Sequence, residues 1–325
     1  MIEIERNGVK HELDVDVLEE LSPFDWERSR VVNSEMQAIS PFRDDDRSPS
    51  FSINIETGLW IDFGSEDYYS RGNLITLLSF LRNETPSEIE DYLLKKYGID
   101  LSDVDKLELH VKLELNTNTN TNTIISTNEY MQYGFRSPYL AGRGITEKVQ
   151  KAFRIGYDKK GKAVAIPWMD IHGNIINVKF RSVHTKRFYY YPTGQPIRNH
   201  LYGMHFIYKL KYETAYIVES EIDALYLWSH GYPAIALGGS NISDSQRQLI
   251  LRSPIKNLVL ATDNDRVGKQ IREKLITALA GYIELSELNF PEGAKDVNDL
   301  SPEQLKSISN NATPVIYSMF KSLTK

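Results

Sequence analysis

The 325-residue chain has no cysteine. That excludes a disulfide framework and any thiolate metal site, and it fits a reducing compartment such as a cytoplasm. It also lacks a basic excess, with 38 Lys and Arg against 44 Asp and Glu and a net charge of -6. Capture of nucleic acid by bulk charge is thereby excluded, which leaves only a local basic patch for such contacts. No apolar run approaches the ~20 residues of a membrane span, and Met1-Ile2-Glu3-Ile4-Glu5-Arg6 has no signal-peptide pattern. No Gly-x-x-x-x-Gly-Lys-Ser/Thr loop occurs, so a P-loop motor is not expected. The seven histidines show no ligand-like spacing. The length leaves room for two or three modest domains.

What is present is a set of acids at the ends of expected strands. Glu219 follows Ala215-Tyr216-Ile217-Val218, and Asp263 and Asp265 follow Asn257-Leu258-Val259-Leu260-Ala261-Thr262. Each acid sits between a short apolar run and a helical pattern, so all of them open onto one edge of a parallel sheet, where ligands of open α/β sheets bind. Residues 221–230 carry Ile222, Leu225, Tyr226 and Trp228 at helical spacing, closed by Gly231. A second strand, Ala234–Leu237, precedes Ser243 and Gln246 at capping-box spacing. Residues 266–280 read as an amphipathic helix closed by Gly281, and Tyr282–Leu285 as a fourth strand. Such alternation predicts right-handed parallel crossovers with helices on both faces.

Converging carboxylates raise one another's pKa unless a divalent cation neutralises them. Magnesium, or manganese, suits that role, because it takes one or two carboxylates and fills its shell with water and substrate phosphates. The chemistry indicated is phosphoryl or nucleotidyl transfer. A further acidic cluster, Lys295-Asp296-Val297-Asn298-Asp299, is placed to complete the site. A helix cap explains any single one of these acids equally well. It explains the ordered set less well.

The block from about Tyr212 to Leu300 resembles a Toprim domain, the metal-binding fold shared by DnaG-type primases, phage primase-helicases, topoisomerases and some nucleases. Val218-Glu219-Ser220-Glu221-Ile222-Asp223-Ala224-Leu225 is similar to its strand-Glu-helix motif, with Ser220 where a glycine commonly follows the Glu. Asp263-Asn264-Asp265-Arg266-Val267-Gly268 resembles the Asp-x-Asp turn, and Lys295–Leu300 the last acidic motif of the phage type. The resemblance implies magnesium at Glu219, Asp263 and Asp265, with Asp223 and Asp296 as supporting acids. For Glu219 a ligand role and a general-base role both stay open.

Ahead of it, Tyr139-Leu140-Ala141-Gly142-Arg143-Gly144-Ile145, Ala163–Trp168, Asn177-Val178-Lys179-Phe180-Arg181, Lys186-Arg187-Phe188-Tyr189 and Leu201-Tyr202-Gly203 resemble the amino-terminal half of the DnaG-type polymerase domain. That implies contacts to template or nucleotide phosphates by Arg143, Arg181, Lys186 and Arg198, with Arg187 an equal counterpart of the family lysine and Arg266 joining from the Toprim turn. The residues themselves agree: Lys179, Arg181, Lys186 and Arg187 lie among Phe180, Phe188, Tyr189, Tyr190 and Tyr191. Cations interleaved with aromatics suit phosphate contact and base stacking, although the aromatics serve equally as strand core.

Ser40-Pro41-Phe42-Arg43-Asp44, Arg47–Ile53, Gly58–Ser65 and Gly72–Leu78 look like the zinc ribbon of the same primases. The four family ligand positions hold Ser40, Arg43, Asp62 and Ser65 here, which do not make a zinc site. A zinc-less ribbon held by packing or by an Arg43–Asp62 pair is the expectation. Because the family's zinc domain helps choose the template site, autonomous sequence-selected priming is in question.

The expected architecture is therefore α/β: a small β-rich ribbon-like domain with helices (1–105, helices near 73–83 and 86–97), a flexible Asn/Thr linker (106–128), an α+β basic subdomain (129–211), a Toprim parallel sheet with flanking helices (212–300) and a helical C-terminal segment (301–325). The expected function is a DNA primase of phage or mobile-element type, located in a bacterial host cytoplasm. It would act on single-stranded DNA with ribonucleoside triphosphates, beside a separate replicative helicase, with no membrane contact. A Toprim nuclease and a non-catalytic accessory protein that binds single strands or a helicase are the alternatives.

Overall fold

The computed structural model describes residues 2–6, 9–43, 46–65, 70–98 and 123–315. Residues 106–122 of the expected linker and the last ten residues of the expected C-terminal segment lie outside them. The chain divides into two compact units, the first made of residues 1–123, 159–163 and 181–195, the second of 124–158, 164–180 and 196–325.

The first unit opens with a hairpin of β1 (Ile2–Arg6) and β2 (Val9–Leu13), followed by a one-turn helix α1 (Val17–Leu21). An antiparallel meander follows: β3 (Arg30–Val32), β4 (Glu35–Ala38), β5 (Phe51–Asn54), β6 (Trp60–Asp62) and β7 (Arg71–Gly72). Two helices close it, α2 (Leu74–Arg82) and α3 (Pro86–Tyr97). Their starts are set locally. Asn73 and Thr85 each form a capping box, and Pro86 occupies the first turn, where its missing N–H costs nothing. Phe42, Phe51, Ile53, Trp60, Leu77 and Leu78 are fully buried in the shared core.

In the second unit α4 (Thr127–Tyr130) and α5 (Glu147–Ala152) precede three neighbouring strands, β8 (Gly156–Asp158), β9 (Ala163–Met169) and β10 (Ile175–Ser182). The short strand β11 (Phe188–Tyr190) belongs with the first unit. There Lys186 N donates to Phe42 O at 2.7 Å and Phe188 packs on Phe80.

The rest of the second unit is an alternation: α6 (Met204–Leu210), β12 (Thr214–Val218), α7 (Glu221–Ser229), β13 (Ala234–Ala236), α8 (Asp244–Leu251), β14 (Asn257–Leu260), α9 (Arg266–Leu279), β15 (Glu284–Glu287), α10 (Pro302–Asn310) and β16 (Thr313–Pro314). The strands run in the order β13-β12-β14-β15-β16, parallel except for β16, which pairs antiparallel to β15. Ala215–Val218, β13 and Leu258–Leu260 are buried throughout, as strands covered on both faces must be. The fourth strand begins two residues later than its apolar run suggested, and the antiparallel β16 was not expected. Because the chain leaves β12 toward β13 on one side and reaches β14 on the other, the ends of β12 and β14 lie at a topological switch point.

Candidate active site

The register of β12 and β14 brings the first two acids together. Ile217 faces Leu260, Ala261 N donates to Ile217 O at 2.9 Å, and two residues on Asp263 N donates to Glu219 Oε1 at 3.1 Å. Burial pushes Glu219 up to about 7, with the charges of Asp265 and Asp223 adding to it and the Asp263 N–H and Arg272 pulling the other way. Asp263 rises to about 7 through burial and the charges of Glu219, Asp296 and Asp265.

The turn after β14 is held by backbone proximity. A side chain at Gly268 would come within 2.1 Å of Asp263 O, so only glycine lets the first turn of α9 close on that loop. Asp265 is the N-cap of α9 and accepts Gly268 N–H at 2.8 Å. Asp296 in turn caps the short 3-10 turn Val297–Asp299, accepting Asn298 N at 2.8 Å and Asp299 N at 3.2 Å. Asn264 N donates to Lys295 O at 2.6 Å, which ties the two acidic loops together. Asp296 is raised by burial and by Asp299, and the Arg143 charge opposes the rise.

Asp223, one turn into α7, is buried. Burial, together with the charges of Asp296 and Asp263, lifts it to about 7, against hydrogen bonds from Ser220 and Asn298. Glu219, Asp223, Asp263, Asp265 and Asp296 therefore all feel one another. Hard carboxylate oxygens gathered at one sheet edge, with Glu219, Asp223, Asp263 and Asp296 raised chiefly by burial and further by one another's charge, are the donor set a magnesium or manganese ion takes. Among the described residues no three Asp, Glu or His side chains already stand in a ligand shell. A magnesium site does not need one, because one or two carboxylates with water and phosphate suffice.

The expected cations are distributed between the two units. Arg143, Arg198 and Arg266 are exposed in the second unit, Arg143 with its guanidinium 5.0 Å from the Tyr139 ring centre. Arg181, Lys186 and Arg187 belong to the first unit, where Arg187 lies over Trp60 at 4.9 Å and Phe42 at 5.5 Å. Lys179 corrects the expectation. It is 5% exposed, and its Nζ stands 3.3 Å from Glu221, whose other hydrogen bond comes from Trp168 Nε1 at 3.0 Å. A cation so buried compensates an interior carboxylate rather than a phosphate. The aromatics divide as well: Phe180 and Tyr190 are core residues.

Sequence reading missed Arg272, whose Nε and Nη2 each lie 3.3 Å from Thr262 oxygens. It also missed Asn298 and Ser220 as the partners of Asp223. Arg272 lies six residues after Arg266, off its helical face, and no local signal pointed to it. The Asn298 bond spans 75 residues and leaves no trace in local patterning, whereas the Ser220 bond spans one helical turn and its Ser-x-x-Asp spacing was there to be read as a cap.

In the first unit the four ribbon positions meet in a polar knot. Arg43 Nη2 and Asp62 Oδ1 are 3.0 Å apart, Ser40 Oγ donates to Asp62 Oδ2 at 2.7 Å, and Ser65 N donates to Asp62 O at 3.3 Å. Asp46 joins it, accepting Arg43 at 3.0 Å, Ser50 Oγ at 2.6 Å and Ser40 N at 3.0 Å.

Comparison with known proteins agrees with this anatomy. Residues 216–301 match the Toprim-like family Toprim_2. The DNA primase of Aquifex aeolicus is 21% identical over 95% of this chain and 70% of its own length. That of Clostridium acetobutylicum is 24% identical over 86% of this chain and 54% of its own. The crystal structure of the zinc-binding and RNA polymerase domains of the Aquifex primase shares the fold, with a TM-score of 0.50 and 20% identity over 95% of this chain and 86% of that one. Residues 216–301 are accordingly a Toprim-like domain that carries the acidic corner, and over most of its length the chain is similar to DNA primases.

Proposed function

We propose that this chain is a DNA primase that makes short RNA primers on single-stranded DNA by metal-dependent nucleotidyl transfer from ribonucleoside triphosphates. The observation that carries the reading is the meeting of Glu219 and Asp263 at adjacent ends of β12 and β14, each held near neutrality by burial and by the other acids. The primase names of its relatives support it.

In this reading Glu219, Asp263 and Asp265 hold the magnesium or manganese ion, with Asp223 and Asp296 supporting. When bound, the ion supplies charge stabilisation to the attacking and leaving oxygens. The chain's own contribution is positional. Glu219, whose proton affinity is close to neutral pH, is suited to take the proton of a primer 3′-hydroxyl. Arg143, Arg198 and Arg266 offer exposed charge to nucleotide phosphates. Lys186, exposed in the first unit, and the half-buried Arg181 and Arg187 would do so for template, and the buried Lys179 would serve them only through the fold. Residues 1–105 are a ribbon that has lost its zinc, with the Arg43–Asp62–Asp46 knot in its place. A separate helicase partner, a phage or mobile-element origin and a bacterial cytoplasm belong to the same reading.

The test is incorporation of labelled ribonucleotides on single-stranded DNA in magnesium, with Asp263→Ala as control. Oligoribonucleotides made by the wild type alone support the reading. Magnesium-dependent nicking of DNA without nucleotides, and no primer, would replace it with the nuclease.

A further inference from the structure

Asp223 is the one acid of the corner whose two oxygens are both engaged by side-chain donors. Ser220 Oγ donates to Oδ2 at 2.7 Å, and Asn298 Nδ2 donates to Oδ1. Ser220 stands where the Toprim motif commonly has glycine, so this bond belongs to this chain's own variant of the motif. The same hydroxyl accepts Asp223 N–H at 3.3 Å as the N-cap of α7. Asn298 comes from the opposite side, out of the 3-10 turn that Asp296 caps.

The orientation of the Asn298 amide is decided by its neighbour, because only the Nδ2 end meets a carboxylate without repulsion. Its Oδ1 is then directed elsewhere, and among the described residues it is buried with no hydrogen-bond donor in reach. A buried acceptor left unmet is costly and rare in native folds. The surrounding acids cannot help when ionised, since they too are only acceptors. What such a corner lacks is a donor from outside the protein. Water in the hydration shell of a magnesium or manganese ion is one, as these ions keep several waters when protein-bound.

We propose that Ser220 and Asn298 are positioning residues for the acidic corner: together they lock Asp223 in one orientation, and Asn298 Oδ1 accepts a hydrogen bond from water carried by the divalent cation. This rests on the metal reading above. It assigns a role to a serine that would otherwise be only a helix cap and to an asparagine that would otherwise only staple a loop.

The test is Mn2+ binding to the full chain, followed by electron paramagnetic resonance of the free ion, for wild type, Asp263→Ala, Asn298→Ala, Ser220→Gly and Ser220→Thr. Loss of an outer hydrogen-bond partner typically weakens metal affinity by roughly ten- to a hundredfold. Asn298→Ala is expected to weaken Mn2+ binding about tenfold or more and Ser220→Gly several-fold, with Ser220→Thr restoring it. In primer synthesis, Asn298→Ala should raise the metal concentration needed and regain turnover at saturating Mn2+, whereas Asp263→Ala should not be rescued. Should Asn298→Ala fail to fold, Ser220→Gly carries the test, because glycine is tolerated at an N-cap. Wild-type affinity in both Asn298→Ala and Ser220→Gly overturns the inference and leaves the metal site standing. A wild type that binds no Mn2+ that Asp263→Ala loses overturns the metal reading itself, and this proposal with it.

Discussion

The knot around Asp62 and Asp46 in the first unit and the corner around Glu219 and Asp263 in the second are built from the same side chain and behave in opposite ways. Burial pushes Asp46 up, yet hydrogen bonds from Ser50 and Ser40 and the charge of Arg43 outweigh it and leave the group below its ordinary value. Asp263, also driven up by burial, has more acids as its neighbours and stays at about 7. The difference lies in what surrounds the carboxylate rather than in the carboxylate. A cluster that brings its own cation and hydroxyls is complete and holds the fold. A cluster whose acids outnumber the cations and donors it brings is left with charge for something else to neutralise, and perturbed groups of that kind gather at functional sites.

The comparison is broken most directly at Asp263. Asp263→Asn should abolish primer synthesis, by at least a hundred- to thousandfold on the scale of a lost charge-stabilising group. It should not destabilise the protein at pH 8. An acid whose folded pKa is raised costs stability that accrues as pH rises from its unfolded value, 3.8, to the folded one, about 7, and is complete above it, so its removal relieves the cost. A melt of the variant above and below pH 7 checks the sign. Gly268→Ala should act on the same loop without touching a charge. The added methyl meets Asp263 O, C and N at 2.1 to 2.8 Å, so the backbone of the acid must shift. At least a tenfold loss in synthesis is expected.

At the knot the outcome should be reversed. Asp62 is buried and receives Ser40 Oγ, Arg43 and Gly64 N. Asp62→Ala takes one of its two carboxylates from the Arg43 guanidinium and leaves Ser40 Oγ without its acceptor, and should cost the first unit roughly 1 to 3 kcal/mol in urea unfolding. Replacing the knot whole, Asp62→Leu with Arg43→Met and Asp46→Leu, should recover much of that loss, since removing a buried ionic group entire is far milder than halving it. EDTA should leave the unfolding of this unit unchanged while it stops synthesis. A fall in the first unit's stability on chelation would show that the knot needs a metal after all.

How far the sequence foretold this anatomy depends on the range of the interaction. Glu219 and Asp263 were legible because each ends an unbroken apolar run, the pattern of a strand buried on both faces. The starts of α2, α3 and α8 were legible because Asn73, Thr85-Pro86 and Ser243 are local signals. Lys179 was misread for the same reason that β12 was easy. β10 is buried on nearly all its residues, so no alternation marked which of its cations faced inward. Its partner Glu221 lies 42 residues away, beyond any local pattern. The strand at Glu284–Glu287 slipped because only Leu285 of the four is buried and Tyr282, counted into the run, is 66% exposed. β16 has two residues, one of them proline, and exists only through its pairing with β15.

The smallest effect expected is one of order under acid, and it sharpens the comparison between the units. In the second unit burial holds His200 and His205 at about 4, with the Arg154 and Lys209 charges also lowering His205 and Asp170 opposing in both cases. Both imidazoles are thus neutral in the fold and bind protons near 6.5 once unfolded. Stability from a depressed pKa is complete above the unfolded value and is lost as pH falls toward the folded one, so the two imidazoles' contribution is lost between about pH 6.5 and 4, against the opposite change from Glu219, Asp223 and Asp263 in the same unit. The slope approaches roughly 1.4 kcal/mol per pH unit for each group. Asp46 has the same sign in the first unit, but its unfolded value is 3.8, so its contribution fades only below that. Amide exchange protection around Tyr202 and Trp228, followed from pH 7 to 3 as the difference between the wild type and a His200→Gln, His205→Gln variant, should therefore shrink before protection around Trp60 falls. If Trp60 loses protection first, the knot is not the self-sufficient cluster its hydrogen bonds describe.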